Sequence, residues 1–417
     1  MRNALLMCLA VFVAAIPSAR ADWPQYAGPN RDNTSAETGL ARSWPAGGPK
    51  VLWTVRVGKG YGGPAIQGGK VYLLDRPSNR QDQLRCFDLA TGRQEWTHGY
   101  AAPGRVSHDG SRSTPAVDEK YIITVGPFGH VHCFSKATKK PLWQMNVLKD
   151  YGGGRLPMWA ISQSALLYKD VVILAPQGSR AGIVALDKAT GKELWKSAPV
   201  GRLHYVSPRI VTIGGVDQVT IANKDGIAAV DASDGKVLWR FGGFSCRITI
   251  PNATPVGDDK LFMTAGYRAG CVLLQLTRGA DGFSVNQIAK HGDCNSQMAP
   301  AVLHEGHLYA NSNSNEASDG FVCLDPKDGK VLWKTGKQLN FQRGHFILAD
   351  GMIYVVDGRS GSLHLLEVSP QREGFKELAK VEGLLGPPEP WAPLALSDGK
   401  LIIRDQHKMV CLDVAAQ

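Results

Sequence analysis

Residues 185–195 read Ala185-Leu186-Asp187-Lys188-Ala189-Thr190-Gly191-Lys192-Glu193-Leu194-Trp195. The stretch predicts a strand, a tight turn and a second strand. Val184, Ala185 and Leu186 close an apolar β-type run. The Asp187 carboxylate can accept from backbone N–H groups two or more residues on. Gly191 supplies the positive φ that a hairpin turn requires. Trp195 gives the returning strand a large anchor. One such hairpin is marginal in water, but the chain repeats it.

The copies end at Trp96, Trp143, Trp195, Trp239 and Trp333, and in each of them Asp88, Ser135, Asp187, Asp231 or Asp325 precedes the tryptophan by eight residues. The tryptophans at 53, 96, 143, 195 and 239 are 43, 47, 52 and 44 residues apart. The 94 residues from Trp239 to Trp333 hold two units. Two further strand candidates precede each hairpin, such as 63–66 and 70–75 before Asp88. Four short strands at a period in the forties predict propeller blades. Two units, with hairpins in 273–288 and 346–381, have lost the turn signature and the tryptophan. The last unit begins at Pro393 and stops before its tryptophan strand, whereas residues 51–57 around Trp53 form a strand whose unit has no beginning. Pairing the two closes a ring and removes its open edge. The expectation is an all-β chain: an eight-bladed β-propeller of four-stranded antiparallel blades, closed by the Trp53 strand on the C-terminal blade. Segments such as Lys236-Val237-Leu238-Trp239 are apolar on successive residues, as strands covered on both faces should be.

Residues 1–21 read as a secretory signal peptide: Arg2, a short apolar run over 5–16 and Ala19-Arg20-Ala21 at the cleavage site. Cys8 lies inside that run and not just after the cleavage site, so no lipid attachment is expected. Residues 22–48, rich in Pro, Gly and turn residues, predict an irregular lead-in over the body, and 49–417 the single propeller. The expected location is periplasmic or secreted, with no transmembrane segment and a monomeric state. Lys and Arg exceed Asp and Glu by ten, and by eight once Arg2 and Arg20 leave with the signal. The basic residues are spread over the whole length, and no basic arm or reader motif argues for nucleic acid.

Outside the signal there are seven cysteines. Cys86, Cys133, Cys323 and Cys411 occupy the repeat position of Ala185 and read as small buried residues. Cys246 and Cys294 lie in segments before two successive repeats and could bridge in an oxidising compartment. No zinc-type or haem-type cysteine spacing occurs, and no metal site is assigned.

The Ala/Cys-x-Asp-x-x-Thr-Gly-Lys-x-x-Trp unit resembles the repeat of pyrroloquinoline-quinone-type (PQQ-like) β-propellers, over nearly all of the chain after the signal. The resemblance implies that Trp53, Trp96, Trp143, Trp195, Trp239 and Trp333 dock between blades. It sets them against a small first residue (Cys86, Cys133, Ala185, Ala229, Cys323 or Cys411) and the turn glycine of a neighbouring unit. The lead-in Trp23-Pro24-Gln25…Gly28-Pro29…Arg31 is similar to the start of exported, stand-alone members. One branch, the quinoprotein alcohol dehydrogenases, implies PQQ and calcium at the centre of the ring. A second is similar to the propeller lipoprotein of the outer-membrane β-barrel assembly machine and works through protein contacts without a cofactor. This chain has the bare-ring length of the second branch and lacks the adjacent-cysteine pair of many enzymes in the first.

In a propeller the segments leading into the innermost strands converge at the channel mouth, where polar and aromatic groups make the default binding site. Those segments offer Arg112, Trp159, His204, Arg247, Asn252, Asp293, Asn295, Gln297, Arg343, His345 and Trp391, with Arg105, His108, Asp109, Arg155, Tyr205, His291 and Glu389 nearby. Trp159 or Trp391 could stack on a quinone, and Arg112, Arg247 or Arg343 could pair its carboxylates. The hard oxygen ligands that calcium needs are scarce: Asp109, Asp293 and Glu389 are the candidates. Residues 58–63 match a dinucleotide pattern by letter, but Pro64 follows and no strand–turn–helix surrounds them. His130 and His132 share a strand face and read as ordinary strand histidines. Residues 311–319 read as a polar loop, and no nucleophile–base pair stands out. The reading is therefore an exported binding or scaffold protein of the cell envelope, with no cofactor and no assigned catalytic residue. Its partners are envelope proteins or a small-molecule ligand. The alternative is a PQQ- and calcium-dependent dehydrogenase of alcohols or sugars.

Overall fold

The computed structural model describes residues 21–280, 282–313 and 318–416. Residues 1–20 of the expected signal lie outside these, as do the middle residues of the 311–319 loop.

Among the described residues eight sheets follow one another along the chain, six of them built from consecutive strands in sequence order. Blade 1 is Ala65–Gln67, Lys70–Ser78, Gln81–Asp88 and Gln94–Ala101. Blade 8 takes three strands from the C-terminus, Ala395–Ser397, Lys400–Arg404 and Lys408–Asp413, and its outermost strand is Lys50–Arg56. That strand runs antiparallel to Lys408–Asp413 with Trp53 opposite Cys411, so the ring closes as the orphan strand predicts. The two degenerate units also form blades. Blade 5 ends in Gly270–Gly279 and Gly282–His291, and blade 7 in Leu363–Glu367 and Lys376–Val381. Blade 7 gains a fifth strand, Thr34–Ser35, parallel to its innermost one. Helix among the described residues is one short turn, Val147–Tyr151, capped by the Asn146 side chain and stopped at Gly152 with φ +67°.

The repeat signature makes one local device. At residue 187 the carboxylate accepts from Thr190 N–H at 2.8 Å and Thr190 Oγ1 at 2.7 Å, while Gly191 N–H donates to Asp187 O. Asp88 binds Thr91 in the same way, and Asp231 takes the N–H and hydroxyl of Ser233, one position nearer in the turn. Gly191 has φ +71°, and a Cβ there would lie 2.6 Å from the Trp143 indole of blade 2. Gly92 meets Trp53 likewise, and Gly235 meets Trp195. Each of these tryptophans therefore leans on the turn glycine of the next blade. The Trp53 and Trp143 indole N–H groups also donate to next-blade carbonyls, Leu89 O and Lys188 O. The small residue also has a place within the hairpin itself. Cys133, Ala185 and Ala229 are the cross-strand partners of Trp143, Trp195 and Trp239 within their own hairpins. Opposite residues on a hairpin sit about 5 Å apart, so only a small side chain leaves an indole room to lean sideways.

The docks are not uniform. Trp239 turns its N–H to Gln218 of its own blade. Trp333 donates to Pro370 O and packs on Phe375, and Trp96 packs on Tyr72 of its own blade.

Cys246 and Cys294 are not bridged. The Cys246 thiol instead lies 3.2 Å from both the Ile248 and Gly266 carbonyls. Cys294 is buried before blade 6, where burial pushes its thiol up to about 12.

The lead-in does more than lie over the body, because it crosses the far end of the central channel. Trp23 exchanges backbone hydrogen bonds with Ile66 of blade 1, and Pro24 O accepts from Val117 of blade 2. The buried Arg31 guanidinium donates to Ala165 O at 2.6 Å and Ser164 O at 3.2 Å of blade 3, and to Gln25. Burial pushes its pKa down to about 9. Asn33 O then accepts from Leu348 of blade 7, and Leu40 bridges Ala415 at blade 8.

Candidate functional site: a closed aromatic cup on the ring axis

At the opposite end from the lead-in, the segments entering the innermost strands converge on a cavity of about 260 Å³. All eight blades line it. Tyr61, Arg112, Tyr205 and Gln297 each sit three residues before the proline that opens an innermost strand. His108 shares the Arg112 segment, Trp159, Ile250, Arg343, His345 and Trp391 come from the corresponding segments of other units, and Tyr267 from a turn of blade 5. Tyr26 of the lead-in also lines the cavity and forms its floor, where burial pushes its phenol up to about 12. The channel is thus a cup open at one end.

Of the residues expected at the mouth, Arg112, Trp159, Gln297, Arg343, His345 and Trp391 line this cup. His204 is buried in the wall, bonded to Arg247 O and Thr249 N–H, and burial pushes it down to about 4. Asn252 and Asn295 tie loops together, to Ser207 O and to Gly270 N–H. Arg247 is exposed on the rim with its guanidinium 5.9 Å from the Tyr267 ring centre. Asp293 lies outside, in an ion pair with Lys334 and beside the His291 imidazole. Tyr61 and Tyr267 were not among the expected site residues. The spacing to Pro64, shared with Arg112 and Pro115, is a signal for the first. Tyr26 and Tyr267 carry no such signal, because they come from outside the strand-entry segments.

The cup is aromatic and positive. Tyr61 lies 5.8 Å from Trp391 at 37°, and Trp159 lies 5.5 Å from Tyr205 at 43°. His108 approaches Tyr61, Trp159 and Trp391. Tyr61 Oη donates to Glu389 at 2.6 Å, and burial first, then that carboxylate, raises its pKa. The Arg112 guanidinium donates to the Gly110 and His108 carbonyls, and burial pushes it down to about 10. Arg343 is held face-on over Trp391 at 4.5 Å, within cation–π range. Its guanidinium makes no hydrogen bond among the described residues. Gln297 Oε1 and His345 Nδ1 are buried without a partner. Burial alone pushes His345 down to about 4, so the imidazole is neutral at pH 7.

These residues do not fit a quinone with calcium. The planar anionic ring would find Trp391 and Arg343, but calcium takes six to eight oxygen ligands. Glu389 is already held by Tyr61, and Asp109 pairs with Lys59 on the rim. Among the described residues no three His, Cys, Asp or Glu side chains are placed to hold a metal ion.

The model of the family described as outer membrane protein assembly factor BamB matches residues 80–335. The chain belongs to that family. Several solved structures share the fold. BamB from Moraxella catarrhalis is 16% identical with a TM-score of 0.59, over 87% of this chain and 99% of that one. The quinohemoprotein alcohol dehydrogenase from Comamonas testosteroni is 12% identical with a TM-score of 0.61, over 95% and 81%. The computationally designed Ika8 protein is 13% identical with a TM-score of 0.56, over 91% and 99%. At such identities the likeness carries the fold alone. No curated protein matches the sequence significantly.

Proposed function

We propose that the chain is an exported binding protein of the cell envelope, which contacts a protein or ligand through the central cup and its loops. The carrying observation is the state of the polar groups there. In this aromatic cavity Gln297 Oε1 and His345 Nδ1 are buried without hydrogen-bond partners, whereas buried polar groups are ordinarily satisfied, and the half-buried Arg343 guanidinium makes no hydrogen bond among the described residues. The assembly-factor family supports the envelope placement, and the signal-like start at residues 1–21 supports export. No helix among the described residues is long and apolar enough to cross a membrane.

The dehydrogenase alternative draws on one observation, the guanidinium of Arg343 over Trp391, which suits a flat anionic ring. Titrating the protein with PQQ plus calcium, then following dye reduction with an alcohol panel, separates the two. The binding reading expects neither saturable quinone binding nor turnover, and saturable binding with turnover overturns it.

A further inference from the structure

We infer that the cup takes a sugar acid: a six-membered saccharide ring carrying a carboxylate, bound without a metal ion. The inference rests on the binding-protein reading and names the ligand class of that same site.

The carboxylate is assigned by Arg343. Arg31 and Arg112 also lie deep in the ring, and both give their donors to backbone carbonyls. Arg343 is half-buried, fixed by the indole of Trp391, and keeps its donors. A planar fork held in this way suits bidentate pairing with a carboxylate. Glu389 acts on Arg343 only through space: it makes no hydrogen bond to the guanidinium, and its Oε2 accepts from Tyr61.

The hydroxyl groups are assigned by Gln297 and His345. Gln297 is 5% exposed and His345 3%. The Gln297 amide nitrogen reaches Tyr267 Oη at 3.4 Å, which leaves Oε1 as an acceptor with no donor. His345 Nδ1 is likewise unpartnered in the lining of the same cavity. A hydroxyl both donates and accepts, so a polyhydroxylated ring serves both groups. A flat polycarboxylate offers mainly acceptors and would set oxygen against Gln297 Oε1.

The ring shape is assigned by the walls. The aromatic pairs Tyr61–Trp391, Trp159–Tyr205 and His108–Trp391 are tilted by 37°, 43° and 35°. With His108 edge-on to Tyr61 at 69° and to Trp159 at 85°, they make an angular aromatic wall and not a parallel slot. The electron-rich face of an aromatic ring attracts electropositive C–H edges, which a puckered sugar presents in several directions. The cavity lies at the small end of ligand sites, which run from about 300 Å³ upward, and Tyr26 closes it below. It suits one terminal residue.

The test is calorimetric titration of the full chain with D-galacturonate, D-glucuronate and D-mannuronate, beside D-galactose and benzoate, with and without EDTA. One of the uronates is expected to bind saturably and about tenfold or more tighter than galactose or benzoate. EDTA should leave that binding unchanged. Arg343→Gln should weaken it about tenfold or more, and Arg343→Lys by an intermediate factor, because the charge stays while the fork is lost. Gln297→Leu should weaken the uronate and leave benzoate unaffected, which a merely structural role would not do. Four results overturn the inference: no uronate binding by folded protein, uronate no tighter than benzoate or galactose, binding abolished by EDTA, or Arg343→Gln without effect. Quinone-plus-calcium turnover would sink the underlying binding reading, whereas failed uronate binding without such turnover sinks this inference alone.

Discussion

The rim hairpins, built on aspartate, glycine and tryptophan, and the central cup, lined by tyrosine, tryptophan, histidine and arginine, treat polar groups in opposite ways. In the 187–191 turn the Thr190 N–H and hydroxyl satisfy the Asp187 carboxylate, the Gly191 N–H satisfies the Asp187 carbonyl, and the glycine then supports the Trp143 indole of the preceding blade. In the cup Arg343, Gln297 and His345 are held in place by burial and stacking while donors or acceptors stay open. A residue type that looks chemically suggestive in sequence is therefore structural at the rim and available in the cup. The difference follows from the repeat: an interaction reproduced in successive blades serves the ring, and the unrepeated segments are left to make a site.

The contrast can be broken at several points. The largest effect is expected at the closure. Trp53→Ala should cost about 3–5 kcal/mol, the range for truncating a large buried aromatic, because it removes both the Gly92 contact and the bond to Leu89 O. Chemical denaturation measures it, and a cost below about 1 kcal/mol would remove the structural role of the rim tryptophans. Gly191→Ala should cost about 1–3 kcal/mol, since its φ is +71° and the new Cβ would strike the Trp143 indole; a wild-type melting curve would show that the turn adapts.

The cup itself predicts a pH effect. Burial holds His345 at about 4 in the folded chain, below the ordinary value of 6.5. The unfolded chain therefore takes up the proton first, and stability present above pH 6.5 is lost as pH falls toward 4. His345→Gln should remove about 1 kcal/mol of the fall between pH 7 and 5.5, read from denaturation curves at both pH values. His132 and His204 are also held near 4 by burial, so the variant flattens the profile without abolishing it. The smallest effect is expected from Arg343→Gln on the unliganded protein. It removes a cation–π contact and the through-space attraction of Glu389 but no hydrogen bond, and should change stability by less than about 1 kcal/mol. A loss of several kcal/mol would make Arg343 a structural residue and erase the contrast between rim and cup.

Much of the fold was legible because it is periodic. The eight-residue spacing from Asp187 to Trp195 recurs in four other units, and the orphan strand around Trp53 called for the open blade at Pro393. The degenerate blades 5 and 7 were placed by period and strand content alone. The site was legible only in part. Position before an innermost strand brings Arg112, Trp159, Gln297, Arg343, His345 and Trp391 to the cup. It does not separate them from Asn252, Asn295 and His204, which share the segments but turn into loop carbonyls and N–H groups. Asp293 is drawn outward by Lys334.

The sequence by itself determined the repeat, the number of blades, the closing strand and the structural use of the rim aspartates. These depend on local turn chemistry and on residues at fixed spacing. Only the tertiary structure decided that the lead-in stops the channel with Tyr26 as its floor, that the small repeat residue faces its tryptophan within one hairpin, that Cys246 and Cys294 stay apart, and which polar groups remain open. Those outcomes depend on where side chains from distant segments meet and which carbonyl each reaches first. Spacing along a chain does not encode that competition.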